Sequence, residues 1–223
     1  MKLSSDYTFH PKLIRSKRKT ISIIVRNDAS VEVRAPLKMK QSEIDAFVLS
    51  KHKWIDKSTA KIRELNTKHQ LAPGSVIPLL GLERTIIYAD VKEPVIADDK
   101  ILIPLGKDIK SGLLSLLKRA AQGYIPNRTA EISKTMNIQY SSILINSAST
   151  HWGSCVADRI HFSCLTMLAD KETIDYVIIH ELSHILHHNH SPLFWEEVEK
   201  YCPDFSIHRQ KLKAFSYIAQ GLK

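Results

Sequence analysis

The chain of 223 residues is 43% hydrophobic and 25% charged, which is typical of a soluble globular protein. Its net charge of +9 admits an anionic partner, although the basic residues are spread along the chain and favour a solvated basic surface. The sequence contains neither a secretory signal nor an apolar stretch of about 20 residues, and its 3 cysteines form no C-x-x-C pair, which excludes a zinc ribbon. We therefore expect a soluble cytoplasmic protein with free thiols.

The N-terminal part of the chain is predicted to consist mainly of strands. Apolar residues alternate with less apolar ones between positions 7 and 36, with a turn at Asn27–Ser30. A helix is predicted from Ser42, its N-cap, through Ile55, and the polar stretch up to residue 70 either continues this helix or frays. After Pro73 and Gly74 break the chain, short strands are predicted at residues 76–80, 85–88 and 100–103.

The C-terminal part has a different pattern, in which helices predominate. Leucine and alanine spacing predicts a helix that runs on to about Met136 in spite of Pro126. Two short strands, at residues 143–146 and 159–165, precede a helix that Asp170 caps, and two further helices follow it. These elements predict an α+β fold, in which a β-rich part over residues 1–104 is attached to a helix-rich domain over residues 105–223.

An HExxH motif lies at residues 180–184, within the sequence YVIIHELSHILHHNHSPLFW. His180 and His184 are one helical turn apart, so both imidazoles can reach a single metal ion. The alternative is a chance match on an ordinary amphipathic helix. The apolar residues on both sides of the motif indicate a largely buried helix, and burying two histidines and a glutamate without partners would be costly. A metal site is therefore favoured.

The third metal ligand must come from outside the HExxH motif. A catalytic zinc usually takes three protein ligands, and His190 lies six residues after His184, as in HExxHxxGxxH sequences. The helix must end before His190 can turn back, and Asn189 is predicted to supply a left-handed residue there. Glutamates of the next helix are the alternative, as in gluzincin-type sites: Glu196, Glu197 and Glu199.

Two further residues are candidates for catalysis. Glu181 follows His180 directly, so the helix turns its carboxylate away from the ligand face and towards a water in the open position. We predict it to be the general base. His151 is a weaker candidate, for stabilising an oxyanion. Cys155 is interpreted as a small core residue, because nothing in the sequence indicates a lowered thiol pKa.

Several short motifs occur together in this chain: KTIS at residues 19–22, VRAP at 33–36, WGSC at 152–155, HELSH at 180–184 and NHSPLFW at 189–195. In this combination the chain resembles the YgjP-like metal-dependent hydrolases, relatives of SprT-type and other zincin peptidases. The resemblance implies a minimal zincin fold, zinc ligands at His180, His184 and His190, and a general base at Glu181. Similar sequences tend to have arginine where this chain has His151. If that arginine contacts substrate, His151 can replace its charge only when protonated, so the resemblance does not carry over a substrate preference.

The sequence thus predicts a zinc-dependent hydrolase, and a metallopeptidase acting on peptides or proteins is favoured. An extended peptide is expected to pair with the edge of the strand around residues 160–164. Two alternatives stay open. One is a metal-dependent nucleotide pyrophosphatase, which the net charge of +9 favours. The other is a nucleic-acid-associated protein with a structural or regulatory zinc.

Overall fold

The structure is a computed structural model that describes residues 11–26, 28–68 and 71–222. The chain divides into two compact units, residues 1–70 and residues 71–223. Its described part contains six α-helices and three small sheets, each with parallel and antiparallel pairs. The predicted α+β class is therefore confirmed.

The first unit is a small sheet with two helices. Its elements are β1 (Lys12–Ser16), β2 (Ser22–Val25), β3 (Val31–Pro36), α1 (Gln41–Ser50) and α2 (His52–Lys68). The central strand β3 is parallel to β1 and antiparallel to β2. The apolar core of this unit consists of Val31, Val33, Ala35, Ile44, Val48 and Ile55.

The β2–β3 hairpin agrees with the prediction in the part that the structure describes. Ala29 supplies the left-handed residue, with φ of 62°, and the N–H of Arg26 donates to the carbonyl of Ser30 over 2.8 Å. Asn27, which the predicted turn includes, lies outside the described residues, as do residues 1–10.

The predicted helix from Ser42 differs from the structure in two respects. Ser42 is not the N-cap, because α1 begins at Gln41 and the Glu43 carboxylate accepts a hydrogen bond of 3.1 Å from the Lys40 N–H. The helix also stops at Ser50 and a second one starts at His52. The His52 side chain lies 2.8 Å from the Leu49 carbonyl, which satisfies one of the acceptors at the end of α1.

The second unit begins with a four-stranded sheet. Its strands are β4 (Val76–Leu79), β5 (Leu82–Ala89), β6 (Val95–Ala97) and β7 (Lys100–Pro104), in the order β4-β5-β7-β6. The predicted strands correspond to β4, β5 and β7, whereas the three-residue β6 was not predicted. Leu80 and Gly81 both have positive φ, of 53° and 81°, and form the tight turn between β4 and β5.

Helices and a second small sheet complete this unit. They are α3 (Ile109–Met136), β8 (Ser142–Asn146), β9 (Gly153–Val156), β10 (Arg159–Ser163), a 3-10 helix (Cys164–Leu168), α4 (Lys171–Leu186), α5 (Pro192–Tyr201) and α6 (Phe205–Gly221). The long helix through Pro126 is confirmed. No described helix combines the length and the apolar character that crossing a membrane would require.

The four-stranded sheet belongs to the same compact unit as the HExxH helix. The N–H of Leu80 donates to the carbonyl of Met167 over 2.9 Å, and a Cβ added to Gly81 would lie 3.2 Å from the Cβ of Asp170. Ile86 of the sheet and Ile178 of α4 are buried in one continuous core. The units therefore divide at residues 70 and 71, earlier in the chain than the boundary expected near residue 105.

The second sheet corrects two expectations about the cleft. Residues 153–156, which lie between the two predicted strands, form a third strand, β9. Strand β10 lies between β8 and β9, with β8 parallel and β9 antiparallel to it. The prediction that a peptide pairs with the edge of the strand around residues 160–164 is wrong, because both edges of β10 are already paired. The outer strand next to it is β9.

Candidate metal centre

Helix α4 brings the two histidines of the motif onto one face. Asp170 caps its N-terminus as predicted, and its carboxylate accepts a hydrogen bond of 2.8 Å from the Thr173 N–H. The apolar flank of α4 is buried in the core, with Ile178 fully enclosed. Because burial of that flank fixes the rotation of the helix, His180 and His184 are held one turn apart, side by side.

Three imidazole rings converge at the C-terminal end of α4. The Nε2 atoms of His180 and His190 are 3.1 Å apart, and His184 offers a ring nitrogen within 4.8 Å of both residues' ligand atoms. The ring centroids are separated by 4.7 to 5.0 Å. Two nitrogens bound to one tetrahedral ion, with bonds of about 2.0–2.1 Å, are roughly 3.3 Å apart. The observed spacing therefore fits a shared metal ion.

The environment of the His180 and His184 rings keeps both neutral. Burial, together with the charges of His184, His190 and Arg209, lowers the pKa of His180 to about 3. Burial also lowers the pKa of His184. A neutral imidazole has the lone pair that a metal ion needs, so these histidines are in the protonation state of ligands.

The backbone fixes the tautomer of His184. Its Nδ1 lies 3.1 Å from the carbonyl oxygen of His187. Donation of the Nδ1 proton to this carbonyl leaves the lone pair of Nε2 directed at the other two rings. Nδ1 of His180, in contrast, is buried without a hydrogen-bond partner in the described part of the chain.

The chain reaches His190 by a different route from the one predicted. Helix α4 ends at Leu186, and His187 is extended, with φ of −131° and ψ of 99°. The prediction that Asn189 supplies a left-handed residue is wrong, because its φ is not positive. Its side-chain oxygen instead accepts a hydrogen bond of 3.2 Å from the Ser191 N–H, which stabilises the turn into α5.

Aromatic residues of α5 enclose one side of the three histidines. The ring of Phe194, which is fully buried, lies 4.5 to 4.9 Å from all three imidazole rings. Trp195 stacks on His190 with 5.5 Å between ring centroids. These contacts restrict the rotamers of the histidines and lower the local dielectric constant.

Glu181 is buried beside the histidines and lies outside the group of ligand atoms that they form. Its side chain is 5% exposed, and burial raises its pKa to about 8. The Oε2 atom is buried and has no hydrogen-bond partner among the described residues. A buried carboxylate oxygen without a hydrogen-bond partner lowers the stability of the folded protein. It therefore indicates a position that a water, an ion or a substrate group fills during function.

Strand β9 confines the Glu181 side chain. A Cβ added to Gly153 would lie 2.6 Å from both Cγ and Oε1 of Glu181, closer than real Cβ contacts. The glycine of the WGSC motif therefore leaves the space that this carboxylate occupies. This role was not predicted from the sequence, although a glycine next to Trp152 in a strand signals close approach of another group.

A pocket of about 340 Å³ opens beside the candidate centre. Strand β9, helix α4 and helix α6 line it, and Glu181 and His180 form part of its wall. His151 is exposed at this pocket, with the Thr150 hydroxyl 3.0 Å from its Nδ1. The structure thus brings the predicted residue His151 to the same cavity as Glu181.

Helix α6 contributes two cationic side chains to this pocket, and neither was predicted from the sequence. Arg209 and Lys213, one helical turn apart, line the pocket, and neither forms an ion pair with a described carboxylate. The Arg209 guanidinium lies over the Trp195 ring, 5.3 Å from its centroid. In the sequence, only their spacing of one turn on a basic helix could have indicated this position. Many solvated helix faces have the same spacing.

Other candidate residues take no part in the cluster of histidines. The alternative third ligands on α5 do not join this group of ligand atoms: Glu196, Glu197 and Glu199. The Cys155 thiol is half-buried, and burial followed by the charge of Glu181 raises its pKa to about 11. This agrees with its interpretation as a packing residue, because a nucleophilic cysteine needs a lowered pKa.

The donor set and its setting are those of a metallopeptidase class: two histidines one turn apart, a third after the helix and a buried glutamate between them. The chain belongs to the family described as YgjP-like, metallopeptidase domain, whose model matches residues 19–215. A metal ion is thus implied for the site, and the three converging histidines fit one.

Comparisons with individual proteins add little to this assignment. No curated protein matches the chain. The metallopeptidase zymogen abylysin of Pyrococcus abyssi is similar over 40% of this chain and 92% of its own, with 20% identity and a TM-score of 0.37. A TM-score this low supports no inference about fold or function.

Proposed function

We propose that this chain is a zinc-dependent peptidase in which His180, His184 and His190 hold the metal and Glu181 is the general base. The observation that supports this most is the convergence of three imidazoles beside one buried carboxylate. Bound zinc would act as a Lewis acid towards the scissile carbonyl and lower the pKa of a water ligand to about 7.

Glu181 is suited to proton transfer by its surroundings. Burial raises its pKa to about 8, and a cation held by the neighbouring histidines would lower this value and keep the carboxylate ionised. The carboxylate would then take a proton from the attacking water and pass it to the leaving amine. Contact with Gly153 on one side fixes the orientation that this transfer needs.

The substrate is proposed to bind along β9. This strand is an outer member of its sheet and passes Glu181 at Gly153, so an extended peptide that pairs with it would lie across the carboxylate. The neighbouring pocket would take one substrate side chain. His151, Arg209 and Lys213 at this pocket favour a group with negative charge, and His151 is also placed to stabilise an oxyanion.

The test is cleavage of a peptide library by the full chain after metal removal and after zinc is returned. Nucleoside triphosphates are assayed in parallel. We expect chelation to abolish peptide cleavage and zinc to restore it in the wild type and in His188→Ala, which changes an exposed neighbour. Zinc should not restore it in His190→Ala.

Two outcomes would contradict the proposal. If returned zinc restored peptide cleavage in His190→Ala but not in Glu199→Ala, the ligand assignment would be wrong. Release of phosphate or pyrophosphate without any peptide cleavage would replace the peptidase by a metal-dependent nucleotide hydrolase.

A further inference from the structure

A second cluster of metal-binding side chains lies where α5 ends and α6 begins. It consists of Cys202, Asp204 and His208, and is called the α5–α6 cluster below. Each residue offers a ligand atom, and these atoms all lie within 4.8 Å of one another. The cluster lines a cavity of about 350 Å³, which leaves room for a water as a further ligand.

The distances in the α5–α6 cluster resemble those around a bound ion. The Cys202 sulfur is 3.5 Å from Oδ1 of Asp204, and Nε2 of His208 is 3.4 Å from Oδ2 of the same carboxylate. A tetrahedral zinc with a sulfur at about 2.3 Å and nitrogen or oxygen at about 2.0–2.1 Å separates its donors by roughly 3.3–3.7 Å. The sulfur and the nitrogen approach different oxygens of Asp204, so sharing one ion requires the carboxylate to turn one oxygen towards both.

The His208 ring is held as metal-ligating histidines are held. Its side chain is 6% exposed, and its Nδ1 lies 2.9 Å from the Thr173 hydroxyl. If that hydroxyl accepts the Nδ1 proton, the lone pair of Nε2 faces the cavity. The separation of 3.4 Å from Asp204 is longer than a good hydrogen bond of a ring nitrogen, so the contact with Asp204 leaves Nε2 poorly satisfied.

We propose that Cys202, Asp204 and His208 bind a second metal ion, separate from the three-histidine centre. A thiolate, an imidazole and a carboxylate together select a transition metal such as zinc over calcium or magnesium. Binding would displace the thiol proton of Cys202 to solvent. The alternative is an ordinary helix start, in which Asp204 precedes α6 and pairs with His208 one turn later.

Such an ion would stabilise the packing of α6 against α4. Thr173 is in the first turn of α4, and the His208 ring stacks on Tyr176 with 6.2 Å between centroids. The residue after His208 is Arg209, which lines the pocket beside Glu181. A metal at the α5–α6 cluster would therefore hold that arginine in place, which is a structural role and requires no activity at the second ion.

Cobalt titration of the metal-free full chain tests the proposal directly. The three-histidine centre contains no sulfur, so only a Co²⁺ ion at the α5–α6 cluster gives the near-ultraviolet charge-transfer band of a thiolate ligand. We expect the wild type to take up a second cobalt ion together with this band. The band should persist in His190→Ala, disappear in Cys202→Ser, and persist in the control Cys155→Ser.

A wild-type protein saturated with Co²⁺ that shows no thiolate band would overturn the proposal without any variant. Survival of the band in Cys202→Ser would do the same. Thr173→Val should weaken binding of the second ion by roughly 10–100-fold, because it removes the group that orients His208. Unchanged affinity in Thr173→Val would count against His208 as a ligand. None of these readouts depends on peptidase activity, so they stand apart from the proposed function.

Discussion

The two ends of helix α4 differ in whether their polar side chains have hydrogen-bond partners. At the N-terminal end, Asp170 receives hydrogen bonds from the Thr173 N–H and from Lys211, and Asp175 forms a two-bond ion pair with Arg128 at 2.8 Å. At the C-terminal end, the buried atoms Nδ1 of His180 and Oε2 of Glu181 have no described partner. The polar groups at one end are thus paired within the protein, whereas two buried polar atoms at the other end have no partner among the described residues.

This difference separates stability from activity along a single helix. Paired groups at the N-terminal end favour the folded state, and their loss should reduce the free energy of unfolding. Unpaired buried groups at the C-terminal end cost stability and remain where function requires them. Substitutions at the two ends should therefore affect different measurements.

The largest expected effect is on turnover, from Glu181→Gln. The substitution keeps the size of the side chain and removes the base, so cleavage should fall by about 10²–10⁴-fold. The thermal unfolding midpoint and the zinc content should stay close to those of the wild type. Loss of zinc would make Glu181 a ligand, and full activity with zinc retained would rule out its role as base.

Gly153→Ala should reduce both stability and turnover, because the added methyl occupies the space of the Glu181 side chain. We expect a loss of about 1–3 kcal/mol in the free energy of unfolding, measured by denaturant titration, together with reduced turnover. Gly123→Ala is the matched control. An added Cβ at this helical glycine meets no atom within 4 Å, so the control should gain about 0.5–1 kcal/mol. Equal stability of the two variants would contradict the close contact at Gly153.

Asp175→Asn should lower stability and leave turnover unchanged. It removes the charge that pairs with Arg128, whose side chain is 37% exposed, so solvent limits the loss to about 1 kcal/mol. Glu131→Gln removes the more exposed partner of the same arginine and should cost less. A fall in turnover of the folded Asp175→Asn protein would show that the two ends of α4 are not independent.

The smallest expected effect is the pH dependence of the Asp170 ion pair. Burial raises the pKa of Asp170, but hydrogen bonds from Lys211 and Thr173 outweigh it and hold the pKa below its usual value. A carboxyl group with a lowered folded-state pKa stabilises the protein above its unfolded pKa of about 3.9 and loses this contribution as pH falls through the folded value.

Asp170→Asn keeps an N-cap and removes the charge, which isolates this contribution. The variant should be less stable than the wild type by about 0.5 kcal/mol near pH 7, and the difference should vanish in acid. Unfolding free energies measured from pH 7 down to about pH 2, through the lowered folded-state pKa, test this. A difference that grew towards low pH would have the wrong sign.

Local patterns in the sequence were sufficient where neighbours along the chain decide the structure. The spacing of His180 and His184 on one helix, the Asp170 cap and the helix through Pro126 depend on residues a few positions apart, and all were predicted correctly. His190 was predicted to lie near the other two histidines on spacing alone, and the structure brings the three rings together. The route to His190 was predicted incorrectly, because the extended His187, not Asn189, turns the chain.

Tertiary structure alone decided which distant residues surround the HExxH helix. Burial of α4 removes water from Glu181 and raises its pKa, and the sheet that places β9 against it explains why residue 153 is glycine. The α5–α6 cluster requires a turn that brings Cys202 and Asp204 against a histidine one helical turn into α6, and Arg209 reaches the pocket only because α6 packs beside α4. These relations depend on packing between elements far apart in the chain, for which a single sequence contains no periodic signal.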